Sequence, residues 1–203
     1  MFTTIKLYCD SLTQQFDTIP VSRKYLLEEI TNYIKTKIVE HKPINLVYVC
    51  THNSRRSHFG QIWATVAANY YQTKNVYTFS GGTEVTAFNI NAINAIKRVG
   101  FDVKKNDDKV NATYHIYFDN TENPIECFSK VYDDLKNPRE EFAAIMTCSD
   151  ADENCPFIPA VELRIGTTYN DPKEFDNTPL QDTKYDERCK QIALETLYVF
   201  SKI

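Results

Sequence analysis

The segment VYVCTHNSRRSH, Val47 to His58, sets one thiol six residues before a guanidinium and seven before a hydroxyl. Cys50 closes a short apolar run. Arg56 and Ser57 open a stretch in which Phe59, Ile62, Trp63, Val66, Ala67 and Tyr70 recur at helical spacing. A cysteine at such a strand end can be a small buried apolar residue. It can also face an anion cradle. The amides of Thr51, His52, Asn53, Ser54 and Arg55 can turn inward as a nest, and the following helix adds its positive end. Arg56 offers a planar fork to two oxygens of a tetrahedral oxyanion. The same field favours a thiolate at Cys50, which makes it a nucleophile at neutral pH. Ser57 can hydrogen-bond the sulfur and ease its departure, and Asn53 can brace the loop through side-chain to backbone bonds. The C-x5-R spacing alone recurs by chance; its place between a strand and an amphipathic helix gives it weight.

A second constellation lies in MTCSDADENCPFIP, where Cys148 and Cys155 are separated by six residues. Spacing does not decide between buried structural thiols and a redox pair. Cys148, however, ends the apolar run AAIMT (143–147). The polar segment 149–155 stops at Pro156 and could bring Cys155 within the roughly 7 Å between Cα atoms that a disulfide needs. In TTYNDPKEFD, a carboxyl at Asp171 could protonate a leaving oxygen, with Asp176 as the fallback. Asp171-Pro172 is also a common turn dipeptide. Cys9, Cys127 and Cys189 match no pattern and read as structural thiols.

The elements that must position these residues follow from periodicity. Residues 7–40 read as helical, with Leu26, Ile30, Ile34 and Ile38 recurring on one face. LVYV (46–49), VYTF (76–79) and AAIMT (143–147) are unbroken apolar runs of the kind buried in parallel sheets. NINAINAIKRVG (89–100) predicts a helix stopped by Gly100. FDV (101–103) reads as a short extension, and residues 112–134 as a hairpin around TENP. Residues 183–203 predict a last helix with Cys189, Ile192, Ala193, Leu197 and Phe200 on one face. Strand–helix alternation implies an α/β fold with a parallel sheet. Sites in such sheets form at the carboxyl ends of the strands, where Cys50, Ser80 and Cys148 would converge.

The chain has 203 residues, enough for one α/β domain with a sizeable core. Its net charge of −4 argues against nucleic acid as the main ligand. No apolar run approaches membrane-spanning length, and the first residues lack the plan of a signal peptide. The expectation is a cytoplasmic protein with reduced thiols, in which the six cysteines form no disulfide framework and miss the usual zinc spacing.

CTHNSRRS resembles the phosphate-binding loop of the low-molecular-weight protein tyrosine phosphatases, and equally that of the thioredoxin-coupled arsenate reductases built on the same fold. Both carry C-x-x-N-x-x-R-S. The resemblance continues through SGGTE (80–84) and the helix before VGFDV, and covers roughly residues 44–111 and 143–203. It implies a three-layer α/β/α fold around a central, mainly parallel four-stranded sheet. To this the chain would add a helical extension over 1–43 and an inserted hairpin at about 112–142, within a single domain of 1–203. It also implies Cys50 as nucleophile, Arg56 as oxyanion binder, Ser57 as thiolate stabiliser, Asn53 as loop brace and Asp171 as acid. The C-x6-C pair separates the two families, because the phosphatases do not use one. For a reductase the resemblance implies a relay. Cys50 forms an arseno-thiol adduct, Cys148 attacks Cys50 to release arsenite, and Cys155 attacks Cys148 to leave a disulfide for thioredoxin. The alternatives are a phosphotyrosine phosphatase working through a phosphocysteine at Cys50, and an oxyanion-binding module without turnover.

The sequence departs from the family at two loop positions, His52 for the common Gly and Arg55 for the frequent Cys. His52 tolerates a positive φ less well than Gly, so a strained loop is expected there. Arg55 adds charge favouring the thiolate, or points to solvent. Some reductases hold a potassium ion with a Glu where Gln61 stands, so no metal is expected. Tyr169 is a candidate aromatic at the mouth.

Overall fold

The computed structural model describes residues 1–154 and 158–203, Asn154 by its backbone alone. At its centre lies β1 (Ile44–Cys50), six of whose seven residues are buried. A strand covered on both faces has no reason to alternate, which is why INLVYVC reads as a nearly continuous apolar run. On one side β1 pairs in parallel with β2 (Val76–Gly82), from Ile44 opposite Val76 to Cys50 opposite Gly82. On the other it pairs in parallel with β6 (Phe142–Met146), from Asn45 opposite Phe142 to Val49 opposite Met146. Strand β7 (Val161–Gly166) pairs in parallel with β6 and completes the order β2-β1-β6-β7. The sequence located three of these four strands. In VELRIG the charges Glu162 and Arg164 interrupt the apolar run, as suits an edge strand, and it went unassigned.

Helices cover both faces, so the architecture is three-layered. On one face Leu46, Tyr48, Ala143 and Ile145 of the sheet join a large core with α3 (Arg56–Tyr70) and α6 (Gln181–Phe200). On the other face Val47, Val49, Ala144 and Met146 pack with Ala151 of the short α5 (Ser149–Asn154) and with Ile158. The segment 149–155, read from the sequence as polar, is helical over Ser149–Asn154.

The N-terminal residues form two helices rather than one run. Helix α1 spans Thr3–Thr13, a 3-10 turn spans Phe16–Thr18, and α2 spans Val21–Val39 behind Pro20. Ile5, Cys9 and Leu12 of α1 and Leu27, Ile30 and Ile34 of α2 enter the large core. Ile38 does not; it is 40% exposed. Residues four apart advance about 40° beyond a full turn, so a stripe of every fourth residue winds off the buried face. The insertion adds two strands to β3 (Asp102–Lys105), giving a three-stranded antiparallel sheet of order β3-β4-β5. Strands β4 (Tyr114–Tyr117) and β5 (Ile125–Cys127) form the expected hairpin, and FDV belongs to β3. Helix α4 (Ile90–Val99) is capped by the Asn89 side chain and stopped by Gly100 at φ 117°. Among the described residues no helix is long and apolar enough to cross a membrane.

One close approach fixes α3 against the sheet. Gly60 lies under the Tyr48 ring, where an added Cβ would overlap the ring carbons. An alanine normally stabilises a helix interior by about 1 kcal/mol over glycine. Here the steric overlap reverses the sign. Gly60→Ala is expected to lower the unfolding free energy by about 1–3 kcal/mol in a urea titration.

Candidate active site

Strand β1 delivers the chain to the cradle at Cys50, and the loop that follows turns its carbonyls outward. The Cys50 and Thr51 carbonyls accept the amides of Thr83 and Glu84, at 3.3 and 2.8 Å. The His52 carbonyl accepts the hydroxyls of Thr86 and Ser129, and the Ser54 carbonyl accepts the Asn89 amide. The amides of residues 51–55 donate to no protein acceptor among the described residues. A run of amides left without protein acceptors, beside carbonyls satisfied elsewhere, is what an anion nest requires. Gly82 permits it, because a Cβ there would lie 2.6 Å from the Thr51 carbonyl oxygen and 2.7 Å from the Asn53 nitrogen.

The expected strain at His52 is absent. The positive φ of the loop falls on Asn53, at 43°, a residue type that tolerates the left-handed region. Asn53 Nδ2 donates to Ser57 Oγ at 2.8 Å, and its Oδ1 accepts the Lys130 amide at 2.9 Å. Ser57 Oγ lies 3.1 Å from Cys50 Sγ. The asparagine thus orients the hydroxyl that touches the thiol, and ties the loop to the insertion. His52 is half-exposed and faces Glu84 at 3.5 Å.

Arg56 is buried. Its Nη1 donates to the Tyr169 carbonyl at 2.8 Å, its Nη2 to Asp171 Oδ2 at 2.6 Å, and its Nε has no hydrogen-bond partner. A buried donor without an acceptor is costly, and an oxyanion in the nest would satisfy it. Asp171 caps a 3-10 turn (Pro172–Phe175), its Oδ1 accepting the Lys173 amide at 3.0 Å. The turn reading and the proximity to the site therefore coexist at this residue. Arg55 is neither at the thiol nor in solvent. It is buried, donates from Nε to the Tyr185 hydroxyl at 2.9 Å, and lies 3.9 Å from Asp171 and 3.8 Å from Asp176. Asp176 accepts the Tyr185 hydroxyl at 2.7 Å and Asn91 Nδ2 at 3.2 Å, which anchors the far end of the turn. Tyr169 is buried, with its hydroxyl on Glu195 at 2.8 Å, so it is no aromatic at the mouth. A cleft of about 360 Å³ beside the loop is lined by His52, Ser54, Arg55, Phe88, Asn89 and Lys173 among others.

Cys148 follows β6 after one intervening residue, Thr147. The register sets Val49 opposite Met146, and the Thr147 amide donates to the Val49 carbonyl at 2.7 Å. Adjacent strands run about 4.8 Å apart, so a one-residue offset leaves the Cα atoms of Cys50 and Cys148 on the order of 6 Å apart, within disulfide range. Cys148 Sγ sits 3.4 Å from Thr51 Oγ1 and accepts the Ala151 amide at 3.4 Å. Cys155 lies outside the described residues. Ser80 does not reach the mouth. It lies inside β2, opposite Tyr48, with its hydroxyl on Gln61 Oε1 at 2.7 Å and near His58 Nδ1 at 3.2 Å. Gln61 also donates to the Glu126 carbonyl at 3.1 Å. Among the described residues no group of three or more His, Cys, Asp or Glu is placed to hold a metal ion.

The other three thiols are chemically quiet. Burial pushes Cys9, Cys127 and Cys189 up to about 12. His58 is buried against Phe88, and desolvation followed by the Lys130 charge holds it well below its ordinary value, so it stays neutral. Sequence reasoning placed Thr51 in the loop but missed its hydroxyl beside Cys148, and it missed three supports outright: Lys130 behind Asn53, Tyr185 behind Arg55, and Glu195 beneath Tyr169. Only Glu195 left a trace, a carboxylate amid the apolar face of Ile192, Ala193, Leu194 and Leu197.

Two outcomes are expected. Iodoacetamide at pH 8, followed by mass mapping of the native protein, should leave Cys9, Cys127 and Cys189 unmodified while Cys50 reacts. Asp171→Asn removes both a competitor for Arg56 and a negative charge. Titration calorimetry should show inorganic phosphate binding about tenfold more tightly, equivalent to roughly 1.4 kcal/mol.

No family model matches the chain. Among curated proteins it is 30% identical over 128 residues to an arsenate reductase of Staphylococcus aureus (strain Newman), covering 63% of this chain and 77% of that protein. It is 29% identical over 129 residues to arsenate reductase 2 of Staphylococcus haemolyticus, with the same shares covered. Its fold matches a solved arsenate reductase in the phosphate-binding state, with TM-score 0.53, 16% identity, and coverage of 79% of this chain and 98% of that one. It also matches a low-molecular-weight phosphotyrosine phosphatase of Vibrio cholerae, with TM-score 0.52, 14% identity, and coverage of 78% and 95%. The chain belongs to the family of the arsenate reductases, built on the fold shared with the low-molecular-weight phosphotyrosine phosphatases.

Proposed function

We propose that this protein reduces arsenate to arsenite through Cys50, with Cys148 and Cys155 carrying the oxidising equivalents to a thioredoxin-type dithiol. The observation that carries the reading is the second thiol. Cys148 lies two residues past the end of the strand beside that of Cys50 and touches Thr51, the first residue of the cradle. A phosphatase of this fold has no use for a nucleophile there.

The chemistry proceeds in balanced steps. Arsenate enters the nest, with its oxygens on the amides of residues 51–55 and on the Arg56 guanidinium. Asp171 gives up its place on Arg56 and turns to an arsenate oxygen. Dihydrogen arsenate brings both protons: one passes to Asp171 as it leaves Arg56, the Cys50 thiolate attacks arsenic, and the As–OH oxygen takes that proton back from the Asp171 carboxyl and leaves as water. The Cys148 thiolate then attacks Cys50 Sγ. The arsenic–sulfur bond breaks toward arsenic, which takes the electron pair and leaves as arsenite, while a disulfide joins Cys50 and Cys148. The Cys155 thiolate attacks Cys148 and frees Cys50 as a thiolate, which Ser57 stabilises at 3.1 Å. The resulting Cys148–Cys155 disulfide is reduced by the external dithiol. Arg55 acts through the acid turn, since it holds Asp176 and Tyr185 at one end and neighbours Asp171 at the other.

The same cradle and acid would suffice to hydrolyse a phosphate ester through a phosphocysteine at Cys50, and the experiment separates the two. With thioredoxin, its reductase and NADPH supplied, arsenate should trigger NADPH oxidation in the wild type. Cys50→Ser and Cys148→Ser should each lower it by at least about a thousandfold, as loss of a group that acts as a unit does. An enzyme that cleaves p-nitrophenyl phosphate equally well as wild type and as Cys148→Ser, with no arsenate-dependent NADPH oxidation in either, would replace the reductase reading with the phosphatase.

A further inference from the structure

Helix α2 lies outside the stretches that carry the family motifs in the sequence, yet it sends a side chain to the floor of the site. Arg23 is mostly buried, with its Nε 2.9 Å and its Nη2 2.8 Å from Glu195 Oε2. The same Nη2 donates to the Thr167 carbonyl at 2.7 Å, and the guanidinium lies 4.8 Å from the centre of the Tyr169 ring. Tyr169 closes the circuit, donating its hydroxyl to the same Glu195 oxygen at 2.8 Å. Its own carbonyl accepts Arg56 Nη1 at 2.8 Å, and Asp171 follows two residues later to take Arg56 Nη2. The segment 167–171 is thus gripped from behind at Thr167 and Tyr169. At its front it presents one carbonyl and one carboxylate to a single guanidinium.

Glu195 gives the arrangement its necessity. It is a carboxylate on the apolar face of α6, and only a paired cation makes its burial tolerable. Arg23 supplies that cation, and its planar fork spans the carboxylate and the Thr167 carbonyl together, which a lysine ammonium does not reproduce. We propose that Arg23 is a positioning residue for the active site. The N-terminal helices complete the floor that aims Arg56, and are not a passive addition to the core. The inference rests on the reading of Arg56 as the oxyanion-binding group.

The test uses the full chain. Arg23→Gln, Arg23→Lys and Tyr169→Phe are compared with wild type for inorganic phosphate binding by calorimetry, for kcat and KM with arsenate, and for melting temperature. Arg23→Gln is expected to weaken phosphate binding and raise KM by roughly fivefold or more at temperatures well below its melting point. Arg23→Lys should recover only part of the loss. Because Arg23 and Tyr169 act on one carboxylate, the double variant Arg23→Gln/Tyr169→Phe should lose less than the product of the two single losses. A lowered melting temperature with phosphate affinity, kcat and KM all at wild-type values would mean that Arg23 only docks α2, and would overturn the proposal. Should Arg23→Gln not fold, Arg23→Lys and its combination with Tyr169→Phe decide by the same criteria. Arg56→Lys is the control for the underlying reading. If it loses phosphate while the Arg23 variants do not, the present inference alone fails; if it binds phosphate like wild type, the assignment of Arg56 fails and takes this inference with it.

Discussion

The parallel pairing of β1 with β6 is the constraint on which the rest depends. Two parallel strands end on the same side of a sheet, so the loops that follow them share one mouth. At the end of β1 the chain meets Cys50 and the cradle; at the end of β6 it meets Cys148. Neither thiol needs a long loop to approach the other, because the two strands run side by side and Cys148 Sγ already lies 3.4 Å from Thr51 Oγ1. Strand β2 adds the third wall. Its last residue, Gly82, lies against the loop backbone where no side chain fits, and Thr83 and Glu84 take the loop's outward carbonyls.

Electrostatics at this mouth works by competition. Asp171 occupies one arm of Arg56, Tyr169 occupies another, and Nε is left without an acceptor. The ion pair offsets part of the cost of burying the guanidinium while no oxyanion is bound. It also holds the Asp171 carboxylate within 2.6 Å of that guanidinium. Arg55, a departure from the family pattern, does not face the thiol. It stabilises the far side of the turn that Asp171 caps, through Tyr185 and Asp176.

The two segments outside the resemblance support the site from different sides. The insertion reaches the cradle, where the Lys130 amide holds Asn53 and the Ser129 hydroxyl holds the His52 carbonyl. The N-terminal helices reach the floor, where Arg23 meets Glu195 and Thr167. The thiols divide along the sheet as well. Cys9, Cys127 and Cys189 lie in the large core with the helices, while Cys50 and Cys148 lie in the smaller cluster on the other face, near the strand ends.

The sequence by itself determined the local grammar. An apolar run before Cys50, helical spacing after Arg56 and a stop at Gly100 are written in residues a few positions apart, and each forms as the pattern requires. Short-range patterning sees only one element at a time, so β7 with its alternating charges was not located and the stripe through Ile38 was misjudged. Only the tertiary structure decided where the long side chains go. Arg55 finds Tyr185, Tyr169 turns from the mouth to Glu195, the positive φ passes from His52 to Asn53, and Arg23 joins a carboxylate far along the chain. The reason is physical. A backbone conformation is chosen among near neighbours, whereas a buried charge takes whatever counter-charge the packed fold brings within hydrogen-bond reach, at any distance in sequence.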